Sequence, residues 1–313
     1  MMVLLGLAGC SLEPMAPPGE ESANTTAMAP SIFSWEVITG ATEDNPITGV
    51  VDNRFVRPVA VAARGREVYI VDAGSDLLYL YNRDFNQLSI LKDLKKTVTG
   101  EVTDIYVSPD RSYYLADADA ARVLHFDSEG RLLDIFEDRA NLVRPVAVKV
   151  DDATGYVYIA DGYDDDVLVY NASKELQGAI GTRGSEAGQF RGITSLALGP
   201  LGYYVATRFG EHRVQIMGPD GAYVGALQKD TVTFPLSVAV DRTGRVFVSD
   251  YLDNTVKVYV DSKLVETIGG TGSAPGRFKR ITDLWLDEGL LYVVDSLNAR
   301  IQVLRIAGPA APQ

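Results

Sequence analysis

The sequence predicts an all-β protein that folds as a six-bladed β-propeller, and three observations lead to this prediction. An Asp that ends an apolar, β-branched segment recurs at intervals of about 45 residues, a spacing typical of propeller blades. Each interval contains four short apolar segments, separated by Gly, Pro, Asn and Asp as turn residues. No segment has a convincing helical period. The recurring residues are Asp72, Asp117, Asp161, Asp250 and Asp295.

A further repeat follows from the one long interval, which separates Asp161 from Asp250 and has twice the usual length. The segment YYVATRFGEHRVQIM, at residues 203–217, repeats the pattern there with Thr207 or Arg208 in the position of the Asp. The repeats then number six, and four strands in each are the content of one propeller blade.

The strands of a blade are predicted in a constant order. The first begins near a Pro or a β-branched residue, as in RPVAVAA at residues 57–63, and the second ends at the Asp. The third is a segment such as LLYLYN at residues 77–82, and the fourth is a segment such as LVETIGG at residues 264–270. A Gly-rich link such as GTRGSEAGQF, at residues 181–190, leads to the next blade.

The last blade is predicted to take its fourth strand from the N-terminal part of the chain, because only AGPAAPQ follows Ile306. The segment SWEVITGATEDNPITG, at residues 34–49, is similar to LVETIGGTGSAPG, at residues 264–276, which combines a fourth strand with a Gly-rich link. Pairing of this strand beside the last one would close the ring and remove an open sheet edge.

Three motifs resemble NHL repeats: G-x-x-G-x-x-x-G-Q-F at residues 181–190, EHRVQI at residues 211–216 and NARIQV at residues 298–303. The resemblance extends over residues 33 to about 306 and implies a six-bladed propeller of the NHL type. It implies little about activity, because propellers carry many unrelated functions.

The start of the chain resembles a bacterial lipoprotein. In MMVLLGLAGC, residues 7–10 are similar to a lipobox, which implies cleavage before Cys10 and acylation of that residue, and Ser11 resembles an outer-membrane sorting signal. The alternative is an ordinary signal-peptide core with an incidental Cys. We therefore predict a signal peptide at 1–9, a lipidated Cys10 with a flexible tether at 10–32, a propeller at 33–307 and a tail at 308–313.

Composition limits the partners. The formal net charge of −13 argues against nucleic acid and against an anionic membrane surface, because both would be repelled. Cys10 is the only cysteine, so no intramolecular disulfide can form. We expect contact with the membrane through the lipid anchor alone, and a location in the bacterial cell envelope, at the outer membrane of a Gram-negative cell.

The first functional hypothesis is a non-enzymatic platform that binds another envelope or surface protein. Propeller faces are rigid, and the links at their edges vary freely. Tyr163, Phe209 and Tyr251 lie in links between second and third strands and are the predicted partner-binding residues, since aromatic side chains concentrate at interfaces. The alternative role for these three side chains is packing within their own hairpins.

A second hypothesis is a sensor of small anions. Basic residues open several first strands or precede them, and in a propeller these positions converge near the channel mouth. The predicted anion-binding residues are Arg57, Arg144, Arg191 and Arg280. Arg offers a rigid fork of donors for carboxylate or phosphate. The competing interpretation is that each Arg pairs with a neighbouring Asp and locks two blades together.

A third hypothesis is a metal-dependent lyase or lactonase in the central channel, and it leaves open whether the protein is an enzyme. The only two histidines, His125 and His212, stand on different blades and do not make a zinc site. Asp104 and Asp283 are the only inner-strand carboxylates that qualify as an acid or base, and salt-bridge or turn duty is the competing role.

No cofactor is predicted, and calcium is the alternative that the carboxylates leave open. The recurring Asp would either accept hydrogen bonds from nearby backbone N–H groups or contribute to a ring of calcium ligands. The run Asp164-Asp165-Asp166 lacks the ligand spacing of a calcium loop, and we expect it to form a solvated hairpin.

Overall fold

The computed structural model describes residues 32–45 and 49–306, and the protein is all-β. Three strands precede the first blade: β1 (Ile32–Ile38), β2 (Gly40–Asn45) and β3 (Gly49–Arg54). The predicted signal peptide, Cys10 and most of the predicted tether lie outside the described residues. None of the described residues forms a helix long and apolar enough to cross a membrane.

Six antiparallel sheets of four strands follow one another along the chain. Blade one contains β4 (Pro58–Arg64), β5 (Glu67–Asp72), β6 (Leu77–Asn82) and β7 (Gln87–Asp93). Blade two contains β8 (Val102–Val107), β9 (Tyr113–Asp117), β10 (Arg122–Phe126) and β11 (Leu132–Glu137). Blade three contains β12 (Pro145–Asp151), β13 (Tyr156–Asp161), β14 (Asp166–Tyr170) and β15 (Leu176–Ile180).

A short parallel pair, β16 (Thr182–Arg183) and β17 (Gln189–Phe190), links blades three and four. Blade four contains β18 (Ile193–Gly199), β19 (Gly202–Thr207), β20 (Val214–Met217) and β21 (Tyr223–Ala226). Blade five contains β22 (Pro235–Val240), β23 (Val246–Asp250), β24 (Thr255–Val260) and β25 (Lys263–Gly269). Blade six contains β26 (Ile281–Asp287), β27 (Leu290–Asp295), β28 (Arg300–Ile306) and β1. Within the part of the chain that the structure describes, two single 3₁₀ turns occur, at Leu94–Lys96 and Ser296–Asn298.

The blades form a ring around a central channel. The first strand of each blade packs beside the first strand of the next, and β26 of blade six packs beside β4 of blade one. Every second strand ends at the position of the recurring Asp, as the sequence predicts. The predicted six-bladed propeller is therefore confirmed.

The N-terminal strand closes the ring as predicted. β1 pairs antiparallel with β28, and Ile38 lies opposite Ile301. The residues that follow differ from the prediction, because they form the hairpin β2–β3 instead of a Gly-rich link. GATEDN and GVVDNR pair with each other at six positions, whereas the links after blades three and five contain two pairs and one pair.

A buried aromatic residue stands three positions before the Asp position in every blade. The residues are Tyr69, Tyr114, Tyr158, Tyr204, Phe247 and Tyr292. The second strand is buried on both faces, which explains why it reads as a continuous apolar run. Tyr158 shows how such a residue joins two blades, since its ring centroid lies 4.9 Å from that of Tyr203 in blade four. Burial of each such side chain contributes about 1.5–3 kcal/mol to folding.

Candidate functional site

The recurring Asp organises one face of the propeller. The Asp72 carboxylate is fully buried and accepts hydrogen bonds from the backbone N–H groups of Val56, Arg57, Gly74 and Ser75, at 2.6–3.2 Å. It therefore ties the start of the first strand to the link between the second and third strands. This is the turn-acceptor role that the sequence suggests, and Asp161 repeats it in blade three.

In blade four a different residue accepts the hydrogen bonds at the start of the first strand, because Thr207 occupies the Asp position. The carboxylate that accepts hydrogen bonds from Gly192 and Ile193 N–H, at 2.7 and 3.0 Å, belongs to Asp165 of blade three. Asp165 is buried and is also 3.2 Å from the Arg183 guanidinium. The expectation of a solvated hairpin at residues 164–166 is therefore wrong for Asp165.

Asp166 is also withdrawn from water. Its side chain is half-buried, and burial together with the charges of Asp161, Asp164 and Asp165 raises the pKa of Asp166 to about 6. Of the three consecutive carboxylates only Asp164 is exposed. Shared burial beside the blade boundary, which spacing along the chain does not reveal, accounts for the difference.

We call the surface that carries the links between second and third strands the link face. Four links place an exposed apolar side chain two residues after the Asp position, with exposed fractions of 53–61%. These residues, the tip residues, are Tyr163, Phe209, Leu252 and Leu297. Blades one and two have Gly74 and Asp119 at the same position, so the apolar tips occupy blades three to six.

The predicted Tyr251 lies one position earlier, is 39% exposed and contacts Phe234, with ring centroids 5.6 Å apart. The predicted Tyr163, Phe209 and Tyr251 are thus all on the link face. Leu252 and Leu297 were missed, although counting two residues from each Asp would have identified them.

The channel opens on the link face through a cavity of about 250 Å³. Four Arg residues line this cavity, which we call the channel mouth: Arg57, Arg144, Arg208 and Arg280. Arg57 pairs with Glu101 at 3.0 Å, and both side chains are largely exposed. Within residues 32–45 and 49–306, no carboxylate pairs with the side chain of any of the other three.

The structure places three of the four predicted Arg residues in the channel mouth and leaves Arg191 outside its lining. The Arg191 guanidinium lies 5.7 Å from the Phe209 ring centroid, at a blade tip. Arg208, which was not predicted, takes part instead. It follows Thr207 at the Asp position and lies 5.7 Å from the Phe234 ring centroid.

Inside the channel, polar side chains join neighbouring blades. The first strand is the inner edge of each sheet, so some of its N–H groups have no strand partner. Asp104 accepts a hydrogen bond from Val148 N–H, and Asp283 accepts one from Val61 N–H, both at 2.9 Å. Ser195 and Ser237 hydroxyls accept equivalent bonds from the N–H groups of Val238 and Leu284.

Lys149 acts on both Asp104 and Asp283. The Lys149 ammonium donates to Asp104 Oδ2 at 2.6 Å and lies 5.8 Å from the Trp285 ring centroid. Burial and the charge of Asp104 raise the pKa of Asp283 to about 7, and Lys149 opposes this shift. Asp104 thus has the salt-bridge role that the sequence raised, whereas Asp283 accepts hydrogen bonds from Val61 N–H of blade one and the Ser237 hydroxyl of blade five.

His125 and His212 lie in different blades, as the sequence predicts. His125 stacks on Tyr114, with ring centroids 4.0 Å apart, and burial lowers its pKa. His212 lies in the link of blade four. The described part of the chain contains no group of three or more His, Cys, Asp or Glu side chains that could hold a metal ion.

Comparisons of the sequence with protein-family models and with curated proteins found no match. Solved structures are similar in fold. Virginiamycin B lyase from Staphylococcus aureus has a TM-score of 0.62 and 9% identity, with 88% of this chain and 99% of that chain covered. A gluconolactonase from Xanthomonas campestris has a TM-score of 0.63 and 13% identity, with 81% and 87% covered.

A structural-genomics protein of unknown function from Bacteroides thetaiotaomicron has a TM-score of 0.63 and 14% identity, with 87% of this chain and 76% of that chain covered. At identities this low, all three likenesses show the fold alone. This chain is a six-bladed β-propeller.

Proposed function

We propose that the protein is a lipid-anchored platform that binds another envelope protein through its link face. The observation that carries this proposal is the set of four exposed apolar tip residues at equivalent positions of neighbouring blades. Single exposed apolar residues are common on protein surfaces, but an array of them on one face is typical of an interaction site.

The chemistry around the tips supports protein binding. Arg183, Arg191 and Arg280 stack near the rings of Tyr163, Phe209 and Tyr251, with 5.7–6.0 Å between guanidinium carbon and ring centroid. Aromatic and Arg side chains are enriched among residues that dominate binding energy. Packing of each ring against an Arg also restrains it before a partner arrives, which lowers the entropy cost of binding.

Anchoring through Cys10 would place this face in the envelope. The sequence between Cys10 and β1 is rich in Pro, Ala, Ser and Glu, as in a flexible tether. Such a tether would let the propeller reach a partner while the acyl chains hold it at the membrane.

The test is site-specific photo-crosslinking of the full-length protein in its own envelope. A photo-crosslinking amino acid is placed at residue 252, and at residue 133 for the control, where Leu133 is 56% exposed on β11, far from the link face. We expect one reproducible partner from position 252 and none from position 133. The same crosslinked proteins at both positions would contradict the proposal.

A matched set of variants tests the energetics. Tyr163→Ser combined with Leu297→Ser should weaken recovery of that partner, whereas Leu133→Ser should not. Each substitution removes an exposed side chain, so thermal stability should stay close to that of the parent protein. Unchanged recovery with the tip variants would show that the tips are not the interface.

Anion binding at the channel mouth is the second candidate function. The specific observation in its favour is that Arg144, Arg208 and Arg280 have no carboxylate partner among the described residues. A lyase or lactonase in the channel has no comparable observation, since Asp104 and Asp283 accept hydrogen bonds from neighbouring blades.

A further inference from the structure

We infer that the link face recognises an acidic peptide segment of its partner: one carboxylate enters the channel mouth, and apolar residues beside it contact the tips. This inference rests on the proposed function and adds the chemistry of the partner. It also joins the channel mouth and the tip residues into one binding surface.

The channel mouth is positively charged although the protein is acidic. The whole chain carries a formal net charge of −13, so carboxylates are abundant and most cations have one nearby. At the channel mouth only Glu101 is present, and it pairs with Arg57. Three guanidinium groups around one small opening repel one another, and a single anion between them would relieve that repulsion.

The channel mouth is small, and part of its wall is apolar. The channel mouth encloses about 250 Å³, and apolar side chains including Val59, Val146 and Leu236 form part of its wall. A cavity of this size accepts a carboxylate-bearing side chain or a chain terminus but not a folded element. Arg presents a rigid fork of donors, so the guanidinium groups in this wall can bind one carboxylate through paired hydrogen bonds.

The channel mouth is continuous with the surface that carries the tip residues. Arg280 lines the channel mouth, and its guanidinium carbon lies 6.0 Å from the ring centroid of Tyr251. Tyr251 is followed directly by the tip residue Leu252, which is exposed. A ligand that occupies the mouth therefore meets aromatic and apolar surface at its edge, so an acidic residue with apolar neighbours fits better than a free anion.

The source of the carboxylate can be an Asp or Glu side chain or the C-terminus of the partner. A displayed library of random short peptides, with free and with amidated C-termini, separates these sources when it is selected on the full-length protein. We expect enriched peptides to carry an acidic residue or a free C-terminal carboxylate directly beside large apolar residues. Enriched peptides without any carboxylate requirement would overturn the inference.

Variants of the protein then test the residues. The best peptide should bind Arg144→Gln and Arg280→Gln at least about ten-fold more weakly, and its Gln-for-Glu or amidated form should bind the parent protein as weakly. Arg139→Gln is the charge-matched control, because Arg139 is 89% exposed and lies outside the channel mouth. Equal affinity for the parent protein and both mouth variants would overturn the inference.

Two further readouts separate this inference from the proposed function. Leu252→Ser should lower the affinity for the acidic peptide and for its neutral form by similar factors. The mouth variants Arg144→Gln and Arg280→Gln should lower the affinity for the acidic form only. If the crosslinked partner depends on the tips but binds Arg144→Gln and Arg280→Gln normally, the platform stands and the inference fails. Inorganic phosphate or acetate that binds the mouth when no acidic peptide does would also overturn it. Thermal denaturation of each variant confirms that it is folded.

Discussion

Asp165 of blade three accepts a 2.7 Å hydrogen bond from the backbone N–H of Gly192, at the entrance to blade four. In blades one and three this duty falls to the Asp of the same blade. At the boundary between blades three and four, the neighbouring blade therefore supplies the acceptor, and Asn254 of blade five likewise accepts a 2.6 Å hydrogen bond from the Arg280 N–H at the entrance to blade six.

We expect Asp165→Ala to lower the free energy of unfolding by about 2–4 kcal/mol, because the N–H groups of Gly192 and Ile193 would both lose their acceptor. Asp164→Ala is the matched control, since Asp164 is exposed, and it should cost less than about 0.5 kcal/mol. Urea unfolding of both variants measures the difference. Equal effects would contradict the role given to Asp165.

The consensus substitution Thr207→Asp should destabilise the protein although it restores the repeat. The Thr207 hydroxyl donates towards the carbonyl oxygens of Phe209 and His212, at 3.1 and 3.4 Å, and a carboxylate there would face those oxygens without a proton to donate. We expect a loss of about 1–3 kcal/mol. A raised melting temperature for this variant would show that the carbonyls can turn away.

Lys149→Met should lower the free energy of unfolding strongly, although the two side chains are similar in size. It leaves the buried Asp104 carboxylate without its cation, a change that costs about 3–5 kcal/mol in buried pairs. The double variant Asp104→Asn with Lys149→Met should recover much of that loss, since residue 104 then carries no charge that needs a cation. Chemical denaturation of the two variants tests this, and a single variant as stable as the double one would refute it.

The pH dependence of stability should include a contribution from Asp283. Its pKa is raised from 3.8 to about 7, so between these values the folded protein holds a proton that the unfolded chain releases. Stability from this group is therefore lost as the pH rises from 4 towards 7. Asp104 and Lys149 are the charged groups that cause and oppose this shift.

Asp283→Asn removes that titration, so its unfolding free energy should fall less than that of the parent protein over the same pH interval. The greatest difference in slope that one proton can produce is about 1.4 kcal/mol per pH unit. Asp166 and Asp287, whose pKa values are also raised by burial, remain in the variant and act as an internal reference. Parallel pH profiles would show that Asp283 titrates at its ordinary value.

Much of the fold could be predicted because the sequence of each blade shows where its strands begin and end. The recurring Asp marks where every second strand ends, so the number of blades followed from its spacing. Ring closure followed from the similarity of residues 34–49 to the fourth strand and link at residues 264–276. Contacts across blade boundaries were harder. Asp165 replaces the acceptor of another blade, and Arg208 enters the channel mouth, because ring geometry brings together residues that no spacing along the chain relates.

Two of the four tip residues were also difficult to predict from the sequence. Leu252 and Leu297 are aliphatic, and an aliphatic residue in a link carries no chemical signal of exposure. Their position two residues after the Asp position, rather than their chemistry, is what identifies them with Tyr163 and Phe209.

The pairing of β1 with β28 has a consequence for the order of events on the ribosome. Ile38 is synthesised long before Ile301, its partner, so the strand that seals the ring must wait unpaired while five complete blades emerge. Closing so long a loop is the slowest kind of contact to form, and it comes last. Until β1 pairs with β28, the ring is incomplete, and the unpaired edges of these two strands can associate with other chains. A chaperone that shields these edges would act within this interval.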